Sequence, residues 1–148
     1  MDSTLKATYN GTTKYYWQQN YEGITVYVDI PSGLKKGDIH VDFAPNRLSI
    51  RVGKDAEVKG ELNYTVDTSE CTWIIADGKL EVYLTKAIKG EVWNCVIKGD
   101  GTLNELDKEE DKKLMLLERF QKEHPGFDFS GADINGMVPE PRTFMKDN

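Results

Sequence analysis

The sequence predicts an all-β fold: an antiparallel β-sandwich of about seven to eight strands, with a C-terminal helix and tail packed on it. Three observations carry that reading. Between residues 14 and 97, apolar side chains recur at every second position in short runs. The runs are separated by short breaks bearing Pro, Gly, Asn or Asp. No helical period interrupts them, and strands this short and close leave no room for the crossovers that parallel neighbours require.

The elements follow in order. Residues 1–13 are polar and read as a flexible N-terminal arm. KYYWQ at 14–18 opens the strands. Ile24, Val26, Val28 and Ile30 then alternate with Thr25, Tyr27 and Asp29, and Pro31-Ser32-Gly33 stops that run. Ile39, Val41 and Phe43 lead through Pro45-Asn46, a tight-turn pair, into Leu48, Ile50 and Val52. Further runs are EVKGELNYTV (57–66), CTWIIA (71–76), LEVYLT (80–85) and VWNCVI (92–97). Asp77-Gly78 between two of these is a strong hairpin signal. Trp17, Trp73 and Trp93 each fall in a run and are expected to fill the core.

After Gly99-Asp100-Gly101 the period changes. Asp107 and Glu110 have the spacing of a capping pair. Leu103, Leu106, Leu114, Leu117 and Phe120 mark one side of a helix over about 103–123. Glu109 with Lys113, and Glu118 with Lys122, are spaced for ion pairs on the other side. Pro125-Gly126 ends the helix. The chain of 148 residues thus divides into an arm (1–13), a sandwich domain (14–101), and a helix with a DFSGA-bearing tail (102–148).

Composition narrows the function. The net charge of −6 and pI near 5.0 argue against broad binding to nucleic acid, which needs basic surface. No stretch approaches the ~20 apolar residues that span a bilayer. The N-terminus lacks the apolar segment of a secretory signal, so a cytoplasmic location is expected. Cys71 and Cys95 sit in separate apolar runs and read as buried free thiols rather than a metal or redox pair.

Catalytic signatures are missing from the sequence: there is no GxSxG, HExxH, P-loop or GxGxxG. His40 and His124 have no carboxylate or thiol partner at motif spacing and read as surface residues. No enzyme activity, cofactor or metal is expected. The outward faces instead offer contact. Alternation in RLSIRV turns Arg47 and Arg51 away from Leu48, Ile50 and Val52, as forks suited to carboxylates. Tyr27 and Tyr83 likewise point away from the apolar side of their strands. Tyrosine and arginine are enriched at the energetic centres of protein interfaces. Solvated cross-strand pairs with Asp42 or Glu61 are the plainer reading of the arginine face.

YYWQQNYEGITVYVDIP, the VDFAPNRLSIRV hairpin, GELNYTVDTSECTWII, DGKLEVYLTK and EVWNCVIKGDG together resemble the CS domain, in its NudC-like (nuclear movement) branch. The tail HPGFDFSGADINGMVPEPRTFM adds to the match, which spans roughly residues 14–145. The resemblance implies a β-sandwich like that of the co-chaperones of the ninety-kilodalton heat-shock chaperone. It implies protein folding work on client proteins, β-propellers among them, and a part in dynein-linked nuclear migration. It also places Trp17, Trp73, Trp93, Gly60 and Leu84 at family core positions. Two departures stand out. Larger members have an N-terminal coiled coil where residues 1–13 stand here, so a monomer is expected. Val92 occupies a position where the family often has a second tryptophan. A structural adaptor for dynein regulators without chaperone activity is the alternative, and a small-molecule isomerase a remoter one.

Phe127 and Phe129 flank an acid in a stretch with no regular period. They are expected either to fold back onto the sandwich with the helix or to bind a partner. Burying one phenylalanine contributes about 1.5–3 kcal/mol, enough to hold a short segment down.

Overall fold

A computed structural model describes residues 3–101 and 103–123. The alternating runs form eight strands: β1 (Lys6–Asn10), β2 (Thr13–Gln19), β3 (Gly23–Asp29), β4 (Ile39–Ala44), β5 (Arg47–Val52), β6 (Ala56–Glu61), β7 (Thr72–Ala76) and β8 (Lys79–Thr85). They make two antiparallel sheets, one of five strands in the order β1-β2-β3-β8-β7 and one of three in the order β4-β5-β6. The inward residues of both sheets form one core: Trp17, Ile24, Val26, Val28, Leu80, Val82 and Leu84 against Ile39, Leu48, Ile50, Val52 and Val58. The all-β sandwich read from the sequence is the fold observed.

Both short turns form where the sequence places them. Ala44 pairs with Arg47 across Pro45-Asn46, and Ala76 with Lys79 across Asp77-Gly78. Asp77 and Gly78 have φ of 52° and 75°, the positive pair that a type I′ hairpin turn requires. Gly60 is fixed by space as well as by its φ of 152°: a Cβ there would lie 2.5 Å from Ile97 Cγ2.

Three expectations need correction. Residues 6–10 are not a loose arm but edge strand β1, paired residue by residue with β2. Its inward positions are Lys6, Thr8 and Asn10, so no apolar alternation announces it. Thr8 Oγ1 donates to Asp100 O (2.8 Å), and Asn10 Nδ2 to Lys59 O (3.1 Å) and the Asp100 carboxylate. The run 92–97 is buried at Trp93, Val96 and Ile97, yet it is no strand beyond an isolated bridge of Ile97 to Leu62. It passes from one sheet to the other. The Trp93 N–H donates to Gln19 of β2, and the neighbouring Lys98 N–H donates to Glu61 O of β6. Trp73 packs only partly against the core, on edge strand β7, with the Lys36 ammonium 5.7 Å from its ring centre.

The helix α1 (Glu105–Glu123) forms, and the predicted stripe is only partly covered: Leu103 packs against the core and Leu114 and Leu117 are half-buried at the flank of the docked face, while Leu106 and Phe120 are exposed. Asn104 rather than Asp107 caps it: Asn104 Oδ1 accepts the Asp107 N–H at 2.8 Å. The residues it buries are Asp111 (3% exposed) and Met115, while Leu106 (68%) and Leu116 (65%) face outward. Asp111 enters a buried polar cluster. Its Oδ2 accepts Gln19 Nε2 at 2.7 Å and lies 3.1 Å from Lys6 Nζ. Gln19 Nε2 also donates to Trp93 O, and Gln19 Oε1 accepts both the Trp93 N–H and Lys86 Nζ. Lys86, fully buried, donates further to Asn20 O and Glu91 O and touches Met115 Sδ at 3.8 Å. Burial lowers its pKa to about 8, against the pull of surrounding carboxylates. At the rim, Glu118 accepts the Tyr21 N–H at 2.7 Å and Lys122 pairs with Glu22 at 2.8 Å. Along the helix, ion pairs include Glu109–Lys112 and Arg119–Glu123. A polar dock can occupy the centre of the contact because each buried charge finds partners, which relieves its desolvation cost.

Candidate protein-binding surfaces

The two sheets present their outer faces in opposite directions, and the residues singled out in the sequence divide between them. β5 is the central strand of the three-stranded sheet, so Arg47 and Arg51 project from the middle of its outer face. Their cross-strand partners in register are Glu61 and Glu57. The Arg51 guanidinium sits 3.6 Å from Glu57, which Lys59 also approaches at 3.7 Å, and Glu61 pairs with Lys98 at 3.2 Å. These are exposed, mutually neutralising pairs, each contributing little to stability. The Asp42 position lies opposite Ser49, not an arginine.

Tyr27 and Tyr83 project from the outer face of the five-stranded sheet. The register places Tyr16 beside Tyr27, and Thr25 beside Tyr83. With Tyr9 on β1, four tyrosines stud this face, and Ile74 of β7 borders them. The hydroxyls of Tyr27 and Tyr83 and the ring of Tyr16 are held in place. Gln18 Nε2 donates to the Tyr27 hydroxyl at 3.0 Å, and the Tyr83 hydroxyl donates to Glu81. That bond, with some burial, pushes the Tyr83 phenol up to about 12. The Lys14 ammonium lies 5.3 Å from the Tyr16 ring centre. The result is a rigid surface of amphipathic rings, ready for contact at little ordering cost. Tyr9 and Tyr16 were missed in the sequence, although the inward Trp17 already implies an outward Tyr16. No arrangement brings the arginines and tyrosines together. Phe127 and Phe129, like His124, lie outside the described residues.

Cys95 is buried and Cys71 half-buried, and both are free. Burial pushes both thiols up, keeping them protonated. Among the described residues, no group of acids, histidines and cysteines is placed to hold a metal ion. No helix among them is long and apolar enough to cross a membrane.

The fold and these surfaces define a β-sandwich protein with two distinct outer faces. A family model described as the CS domain matches residues 13–86. Human NudC domain-containing protein 2 is 32% identical over 129 residues, covering 85% of this chain and 82% of that protein. The nuclear movement protein nudc of Schizosaccharomyces pombe is 26% identical over 153 residues, covering 80% and 92%. Among solved structures, the CS domain of the human KIAA1068 protein superposes with a TM-score of 0.55 at 20% identity, over 67% of this chain and 82% of that one; this likeness bears on the fold alone. The chain belongs to the CS-domain family, in its NudC-like branch. Membership supports a co-chaperone-like role in a family whose members are typically non-catalytic.

Proposed function

We propose that this protein is a non-enzymatic co-chaperone that binds and stabilises client proteins and acts in dynein-linked nuclear migration in the cytoplasm. The observation that carries the reading is the tyrosine face of the five-stranded sheet: Tyr9, Tyr16, Tyr27 and Tyr83 on one rigid outer surface. Such rings supply large contact area and a hydrogen-bonding tip, the combination found at interface centres. The NudC-like relatives, one of them named for nuclear movement, support the cellular setting. The partners proposed are the ninety-kilodalton heat-shock chaperone, dynein-pathway regulators and β-propeller clients. The arginine face of β5 is a second contact surface, on the far side of the sandwich.

The test is suppression of heat-induced aggregation of a β-propeller protein. Tyr27→Ala/Tyr83→Ala should lower suppression several-fold while leaving the fold intact by circular dichroism. Arg47→Glu/Arg51→Glu reports separately on the opposite face. Unchanged suppression in both double variants would overturn the surface assignment. Tight client binding without any suppression would identify a structural adaptor instead.

A further inference from the structure

We propose that the free edge of β7 takes up an extended segment of an unfolded client chain by strand addition, a site distinct from the tyrosine face. This rests on the client-binding reading above and assigns it a place.

Hydrogen bonding fixes which groups are open. The Ile30 N–H donates to Gly78 O at 3.0 Å, and the Lys86 N–H to Glu22 O at 2.9 Å. These bonds set the phase of the β3–β8 ladder, in which Leu80, Val82 and Leu84 of β8 bond to β3. Lys79, Glu81 and Tyr83 therefore bond to β7, through Ala76, Ile74 and Thr72. That leaves the N–H and C=O of Trp73 and Ile75 pointing away from the sheet. Among the described residues nothing pairs with them. Two such residues at alternate positions are a template for one more antiparallel or parallel strand.

The side chains favour the same occupant. From Thr72 to Ala76 the strand carries no charge, proline or glycine, the usual devices that blunt an edge. Ile74 is 45% exposed on one face and Ile75 42% on the other. Half-buried Trp73 and Leu34 pack against the core without closing over it. The opposite edge is different: β1 carries Lys6 and is tied down by Asn10 bonding to Lys59 and Asp100. Charge selects the segment. Its centre must be uncharged to match 72–76, with apolar residues at alternate positions. The Lys36 ammonium beside Trp73 favours an acid at one end. A second copy fits less well. Two paired five-residue edges fall far short of the ~1,200 Å² of a stable interface, whereas an unfolded chain runs on past the strand.

The experiment adds reduced, carboxymethylated lactalbumin, a permanently unfolded chain, to the full-length protein and follows backbone amides by NMR and hydrogen exchange. The Trp73 and Ile75 amides should shift and gain protection. Ile75→Pro removes the outward N–H together with the isoleucine side chain, at a position where edge strands tolerate proline. It should weaken binding at least tenfold with the thermal midpoint nearly unchanged. Ile75→Lys, which keeps the N–H but places a charge on the edge, should do the same should the proline variant fold poorly. Binding that moves only the Tyr16, Tyr27 and Tyr83 signals overturns the edge site and leaves the client-binding reading standing. Failure of the probe to bind, together with no suppression of aggregation, removes both. Protection of the same amides without probe, rising with protein concentration, overturns the proposal in favour of self-pairing.

Discussion

The interior of the sandwich and the dock beneath α1 are both buried, yet they are made of opposite materials. Between the sheets, buried residues are nearly all aliphatic or aromatic, and shape decides how they fit. Under the helix, the closed-off groups are Lys6, Gln19, Lys86 and Asp111, and directed bonds decide. Apolar packing is forgiving about exact partners and strong in sum. A buried charged cluster is unforgiving: complete, it fixes one position for the helix; lacking a member, it favours release. The sandwich is therefore expected to stay folded while its helix can come away.

Three measurements bear on that contrast. The largest effect is expected in the sandwich. Leu80→Ala empties a fully buried site between Val28 and Ile75 and should cost about 2–5 kcal/mol in urea unfolding, in one cooperative transition. A loss confined to one sheet would contradict the single core. Asp111→Ala should cost less globally, because the penalty of leaving Lys6 unpaired is limited to whatever freeing the helix requires. Amide exchange in 111–118 should rise at least tenfold while protection in β3 and β8 holds. Equal loss in both regions would show that dock and core are one cooperative unit. The smallest effect is a pH slope. Lys86 loses its proton near pH 8 in the folded protein and near 10.5 when unfolded. The unfolded chain holds the extra proton in that window, so stability rises from pH 8 toward 10.5 as the buried charge is relieved, by at most about 3 kcal/mol. Lys86→Met should flatten this part of the profile; an unchanged slope would place its origin elsewhere.

The same contrast explains what the sequence discloses. Ile24, Val26 and Val28, or Leu48, Ile50 and Val52, advertise their strands because inward positions are apolar and outward ones are not. Asp77-Gly78 advertises its turn because few residues accept its φ values. Strand β1 stays hidden, since its inward residues are polar and find partners in Ser3, Thr4, Asp100, Lys59 and Asp111, distant in the chain or outside any period. The helix is legible as a helix, but its leucines mark only the flank of the docked face, because the centre of that face carries an acid and a methionine. Which way Tyr27 and Tyr83 point can be read from alternation. That Arg47 and Arg51 stand on the other side of the molecule cannot, because strand-to-sheet assignment is a matter of long-range pairing.

The buried cluster also has something to say about where this protein begins and ends as a physical object. The family match runs from 13 to 86, and it contains Gln19 and Lys86 but neither Ser3 and Lys6 before it nor Trp93, Asp111 and Met115 after it. A fragment cut to those limits would keep Gln19 and Lys86 bonded to each other and lose the Ser3, Asp111 and Met115 side chains that complete the cluster around them. The family match is narrower here than the set of residues that closes the buried cluster.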